Sequence, residues 1–368
     1  MRGHFNRRIA KQTARRGRER LEVSMKIVKQ IAISGISIAM LLAVAPGGAV
    51  ANGAPRTVGA RAAGQARDLG AAALPKSCKT SKPVIGVSLP DTSNPYYVYM
   101  RQGFLQVGAK YGFDVKMAIA NDDDSNQLSQ IDAFIQEGVC AVALNPVTSG
   151  PSAADVAALN KAGIPVFTVN VLVDQADLTK EHAKIVQFVG ANQAEGGKVE
   201  ALQVLKDLGA KAKILVGTVG DPLSQTTAER DAGFYTVIKR DPNAKVGELV
   251  NGQVEPTVSL QVATDMLEGN PKMNVIWADT GPATLGALKA IQELKLQGKV
   301  TLFGFCAAGT PLDKVIYRGC VGQQPYNYAS IVVQNIKKYL AGKSILPTIL
   351  EPVPAYVSGQ TIPAGILG

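Results

Sequence analysis

Short apolar runs alternate along this chain with segments of helical spacing, and that alternation restricts the fold more than any other feature. VIGVSL at 84–89, VCAVAL at 139–144 and IPVFTV at 164–169 are apolar on successive residues rather than on every second one. Such a strand is covered on both faces. Between these runs, Pro95 to Tyr111 puts Tyr96, Met100, Phe104 and Val107 at spacings near 3.6, which predicts a helix. A strand is expected over 114–119 and helices over 128–136 and 153–162. The order is βαβαβαβ with about 20–30 residues per unit, the pattern of a parallel sheet with helices on both faces.

Near Gly190 the pattern restarts. Strands are expected at 185–189, 212–219, 245–250, 275–278 and 301–305, and another begins at Cys320–Gly322. Helices are expected at 195–208, 226–240, 257–269, 282–296, 311–317 and 327–341. The body therefore reads as two successive α/β units, each with its own core, and the stretch beyond Ser344 holds several Pro and short strand-like pieces.

A formal net charge of +10 suggests a nucleic-acid or anionic membrane partner until its position is known. Residues 1–24 carry seven Arg and one Lys against Glu19 and Glu22, and residues 25–51 add Lys26 and Lys29. Only +2 remains for residues 52–368, so the body is nearly neutral and no nucleic-acid partner is expected. Residues 25–51 have the three-part order of a secretory signal: Lys26 and Lys29, an apolar run from Ile31 to Val44, and Ala49-Val50-Ala51. The run is shorter than the roughly 20 residues of a membrane span. Cleavage is expected after Ala51, with an uncleaved anchoring helix as the alternative. Residues 1–24 read as a basic extension or a miscalled start, and 52–81 as a flexible lead-in.

Chemistry is sparse. The chain has two His, of which only His182 lies beyond the signal segment, so neither a His metal cluster nor a His-driven triad is expected. No G-x-G-x-x-G follows the first strand and no G-x-x-x-x-G-K-[ST] occurs, so no dinucleotide or triphosphate cofactor is expected. The loops after the strands, where ligands of open α/β sheets bind, instead carry polar and aromatic residues, at Pro90–Tyr97, Asn145–Pro146, Asn170, Gly220–Thr226, Asp279–Thr280 and Cys306.

Taken together, LPDTSNPYYVYMRQGF, LNPVTSG, GIPVFTVN, TTAERDAGF and FGFCAAGTP make the chain resemble the periplasmic solute-binding proteins of sugar ABC importers, of the ribose-binding-like type. The similarity runs from about Lys82 to about Gly342. It implies two Rossmann-like lobes with parallel sheets flanked by helices, joined by three crossings near Gly190, Gln324 and Leu350, with the ligand between them. Lobe one is then 82–190 and 325–349, and lobe two 191–324 and 350–368. It also implies a monomer of the periplasm that takes a small sugar or polyol, closes on it and delivers it to an ABC permease.

The resemblance assigns roles residue by residue. Tyr96 and Tyr97 would flank a sugar ring, or one of them would simply pack the helix start. Asn94 can donate to and accept from hydroxyls, and Asp91 is a weaker candidate at the same mouth. Arg230 would offer a rigid fork of donors to adjacent oxygens, unless it pairs with Glu229 or Asp231. Asn170 stands where the family often has Asp, followed by Val171 rather than Arg. Thr280, preceded by Asp279, stands where an Asn is common, and Cys306 where a ligand-binding Asp is expected. These departures favour a deoxysugar, a polyol or an unusual pentose over ribose. Gln323 or Gln324 is expected to reach the ligand, with Gln323 favoured for the contact and Gln324 for the hinge. Glu255 either replaces a missing carboxylate or is a solvated loop acid.

Cys78 and Cys140 both fall at the edge of lobe one away from the cleft and are able to pair. Cys306 lies past the end of one strand while Cys320 is read as the start of the next, at opposite edges of a parallel sheet. No bridge between these two is expected. Competing readings are a sensory protein that presents its bound form to a histidine kinase or chemoreceptor, a repressor, and an α/β enzyme on a sugar-like substrate. No nucleophile–base pair supports the last, so no enzyme is expected.

Overall fold

The computed structural model describes residues 76–368. The basic extension, the signal segment and most of the lead-in lie outside the described residues. After one 3-10 turn at Lys76–Lys79, the chain runs β1 (Val84–Leu89), α1 (Pro95–Lys110), β2 (Asp114–Ile119), α2 (Asp124–Glu137), β3 (Val142–Leu144), α3 (Ser152–Lys161), β4 (Val166–Val169), α4 (Gln175–Lys180) and β5 (Gln187–Ala191). It continues as α5 (Gln193–Leu208), β6 (Ile214–Gly220), α6 (Gln225–Ile238), β7 (Ala244–Asn251), α7 (Pro256–Gly269), β8 (Val275–Ala278), α8 (Gly281–Glu293), β9 (Thr301–Phe305), β10 (Tyr317–Val321), α9 (Pro325–Leu340), β11 (Thr348–Glu351) and β12 (Ala355–Val357).

The strands form two six-stranded sheets, ordered β11-β5-β4-β3-β1-β2 and β12-β10-β9-β8-β6-β7. Every neighbour pair is parallel except β10 with β12. The central strands β3, β4, β8 and β9 are buried at every residue, as continuous apolar runs require. Helices cover both faces of each sheet, and the molecule has two α/β lobes. Helix α9, though it follows β10 of the second sheet, packs back on α1, where a side chain at Gly103 would collide with the Tyr326 carbonyl and with Ala329. Residues Leu172 and Thr226 meet across the lips of the cleft, the Leu172 N–H donating to Thr226 Oγ1 at 3.2 Å. The Gln225 N–H likewise donates to Ser149 Oγ at 3.4 Å.

Three local expectations are corrected. The segment 311–317 is not a helix. The Asp313 carboxylate accepts from the N–H groups of Val315, Ile316 and Tyr317, and this local turn takes the donors a helix would need. The strand that follows therefore begins at Tyr317, three residues earlier than Cys320.

That shift overturns the cysteine reading. Cys320 lies near the end of β10, opposite Gly304 of β9, which places it beside Cys306. Cys306 and Cys320 form a disulfide with Cα atoms 5.0 Å apart. The strand polarity was right and the strand start was wrong. Cys306 therefore offers no thiol to a ligand. Cys78 and Cys140 are bridged as well, with Cα atoms 5.1 Å apart, and this ties the segment before β1 to the start of β3. The third correction is α4, a short helix that the apolar pattern did not reveal, capped by Asp174.

Candidate functional site

Arg230 is buried where lobe two comes within electrostatic reach of Tyr96, Tyr97 and Tyr328 of lobe one. It lies on α6, and its position is set by how closely α6 meets α5. A Cβ at Gly197 of α5 would overlap the Arg230 carbonyl oxygen, and one at Gly233 of α6 would overlap the Ala194 carbonyl oxygen. Only glycine lets the two backbones touch. The contact brings Gln193, in the first turn of α5, against the guanidinium. Arg230 Nε donates to Gln193 Oε1 at 2.6 Å, and an η nitrogen donates to the Asp279 backbone carbonyl at 2.7 Å. The guanidinium carbon sits 3.8 Å from the centre of the Phe305 ring, a cation–π contact on the last residue of β9. Neither Glu229 nor Asp231 pairs with it. Asp231 instead accepts from Trp277 Nε1 at 2.6 Å, and Trp277 stacks on Phe234 with centroids 4.5 Å apart. Arg230 is 4% exposed. Burial lowers its pKa, while Asp279 and the tyrosines of the cleft oppose the change.

Lobe one supplies the facing wall. Asn94 caps α1 by accepting from the Tyr96 N–H at 3.0 Å, with Pro95 in the first turn. This fixes where the helix starts and so aims Tyr96. The Tyr96 hydroxyl lies 2.9 Å from Asn170 Oδ1 and 3.3 Å from Gln323 Oε1. Asn170 takes a left-handed backbone, φ 66°, at the end of β4, a conformation Asn tolerates. Tyr97 sets its ring edge-on to Tyr96, 5.4 Å between centroids. Burial pushes both phenols well up, so they are neutral donors.

The structure thus brings Tyr96, Tyr97, Asn170, Arg230 and Gln323 together. Other candidates are placed differently. Asp279 is buried, with Oδ2 accepting from the Asp221 N–H at 3.1 Å. Burial, then the charge of Asp231, pushes its pKa up. Thr280 spends its hydroxyl on capping α8 through the Ala283 N–H. Asp91 is used in its own turn, accepting from Ser93 and from the Asn94 N–H. Gln324 is exposed at the start of α9. Glu255 is exposed at the start of α7, and its charge adds to the raised pKa of Asp122, pushed up to about 6 first by burial and then by Asp91.

Three residues that no sequence pattern marks lie around Arg230. Gln193 and Phe305 hold Arg230, and Tyr328 of α9 lies close enough for the guanidinium charge to act on its phenol. Among the buried side-chain atoms without a hydrogen-bond partner are Gln193 Nε2, Asp279 Oδ1, Gln323 Nε2 and the Tyr328 hydroxyl. Buried polar groups are rarely left unpaired, so these atoms are free to bond a polar group that enters between them. Among the described residues, no cluster of His, Cys, Asp or Glu is suited to hold a metal ion.

Residues 85–344 match the family described as periplasmic binding protein domain. The chain is 29% identical over 273 residues to the ribose import binding protein of Bacillus subtilis, covering 73% of this chain and 85% of that one. Two solved structures share the fold. One is an ABC transporter solute-binding protein from Agrobacterium vitis bound with alpha-D-tagatopyranose, at TM-score 0.71 and 20% identity, covering 78% of this chain and 100% of that one. The other, from Mycobacterium smegmatis in complex with beta-D-fucofuranose, has TM-score 0.66 and 22% identity and covers 75% of this chain and 91% of that one.

Proposed function

The chain belongs to the periplasmic binding protein family, of the ribose-binding-like type that serves as solute receptor of ABC importers, and from that premise we propose that it captures an uncharged sugar or polyol and hands it to an ABC permease. The observation that carries this reading is the Arg230 group. A buried guanidinium held by neutral partners on lobe two faces phenols on lobe one, with amide and phenol groups left unpaired around it. Such a set matches hydroxyl and ring oxygens and offers no compensating charge for an anion beyond Arg230 itself.

The contact set we propose is Asn94, Tyr96, Tyr97, Asn170, Arg230 and Gln323, joined by Gln193 and Tyr328. Lobe one is taken as 82–191 with 325–351 and lobe two as 192–324 with 352–368, one or two residues beyond the crossings expected at Gly190 and Leu350, because β5 and β11 pair through Ala191 and Glu351. Ligand binding favours the closed arrangement, which is the shape a permease recognises. The working protein is a monomer of the periplasm, released by cleavage after Ala51. Asn170 and the bridged Cys306 supply no carboxylate where the family often uses one, which supports a deoxysugar, a polyol or an unusual pentose over ribose.

Thermal denaturation of the exported chain against pentoses, hexoses, deoxysugars and inositols tests this. A rise in melting temperature with one compound is expected, and no rise with any of them would sink the reading. Mass spectrometry of the exported chain locates the cut, and that of the co-purifying small molecule names the ligand.

A further inference from the structure

Ile366 and Leu367 are consecutive, yet each is buried in a different lobe. Ile366 joins the apolar cluster of lobe two with Cys306, Cys320 and Ile316. Leu367 joins the cluster of lobe one that contains Tyr96 and Tyr328. Successive side chains of an extended segment point to opposite sides, so one short stretch sends an anchor each way across the back of the cleft. The stretch enters through a tight turn, with the Ile366 N–H donating to the Pro363 carbonyl at 3.1 Å and Gly365 at φ 83°. A side chain at Gly365 would press on the Tyr99 ring of α1, and one at Gly322 would strike Ile366.

The same stretch grips a cleft residue. The Gln323 N–H donates to the Leu367 carbonyl at 2.6 Å, and the Leu367 N–H donates to the Gln323 carbonyl at 3.0 Å. Gln323 is the residue whose Oε1 faces the Tyr96 hydroxyl and whose Nε2 has no partner. We propose that Pro363–Leu367 is a clasp: it positions Gln323 for the ligand and holds the two lobes at the closed spacing, as a non-covalent link additional to the three covalent crossings. Its effect on ligand affinity rests on the receptor reading above, and its effect on the protein alone does not. By favouring the binding-competent form, it raises affinity without touching the ligand.

The test compares the full chain with a deletion of 363–368 and with Leu367→Pro, which removes the N–H that bonds Gln323 together with the leucine anchor in lobe one. Hydrogen exchange of the peptide containing Gln323 and small-angle scattering are recorded without ligand, and melting temperature checks folding. The clasp predicts about tenfold faster exchange at Gln323 and a larger radius of gyration for the deletion, with a smaller change of the same sign for Leu367→Pro. If the deletion does not fold, Leu367→Pro decides. Unchanged exchange and radius in a folded variant overturn the clasp. If one sugar of the panel binds the full chain, the deletion is expected to bind it about tenfold more weakly. Absence of any sugar binding together with an opened deletion variant overturns the receptor reading and leaves the clasp standing.

Discussion

Arg230 is held from three sides, by Gln193, by the Asp279 carbonyl and by the Phe305 ring. Its motif, Ala228-Glu229-Arg230-Asp231-Ala232-Gly233-Phe234, marks it as a ligand group by resemblance. Its partners were not legible, because Gln193, the Asp279 carbonyl and Phe305 come from three other elements. Replacing Arg230 with Ala is expected to weaken ligand binding by at least about 30-fold, on the order of 2 kcal/mol, with calorimetric titration as the measure. Unchanged affinity would mean that the ligand sits elsewhere. Asp155 is a second case, outside the cleft. It is buried in α3, and burial, then Asp124 and Asp132, pushes its pKa up to about 7. Folding therefore favours its protonated form. The stability it contributes is fully present at low pH and is lost as pH rises from the unfolded value near 3.8 through about 7. Asp155→Asn is expected to flatten that slope and to gain on the order of 2 kcal/mol at pH 8, read from urea unfolding across pH.

Elements were legible where the apolar run was long and buried, and poorly legible where a side chain competed for the backbone. Strands β1, β2, β8 and β9 have the bounds that the sequence implies. The missing helix at 311–317 was lost to the Asp313 turn, and α4 is too short for periodicity to reveal it. Contact between α5 and α6 depends on Gly197 and Gly233, whose positions in the sequence look like ordinary helix interiors. Gly197→Ala is expected to push these helices apart. It should cost about 1–3 kcal/mol of stability and lower ligand affinity, because Arg230 moves with the α6 backbone. Stability and affinity measured on the same preparation check both. An alanine that leaves both unchanged would show that the interface relaxes freely.

At the scale of the molecule, two disulfides brace the lobes at different places. Cys78–Cys140 closes a long loop in lobe one and Cys306–Cys320 a short one beneath the cleft, with sequence separations of 62 and 14. Thiol titration of the unreduced, denatured protein should find no free thiol. The double replacement of Cys306 and Cys320 by Ala is expected to cost about 3 kcal/mol, measured by denaturant unfolding, whereas an unchanged midpoint would mean that the bridge does not form. The failed expectation about this pair is instructive, since three residues of error in one strand start reversed the sheet edge on which Cys320 lies. By itself the sequence determined the two α/β units, the parallel sheets, the near-neutral body and the loops that carry the polar residues. These follow from local periodicity and from charge that can be counted along the chain. Only the tertiary structure decided the partners of Arg230, the Cys306–Cys320 bridge and the grip of Leu367 on Gln323. Each of these joins residues from separate elements, and their distances depend on strand register and backbone approach, which no local pattern encodes.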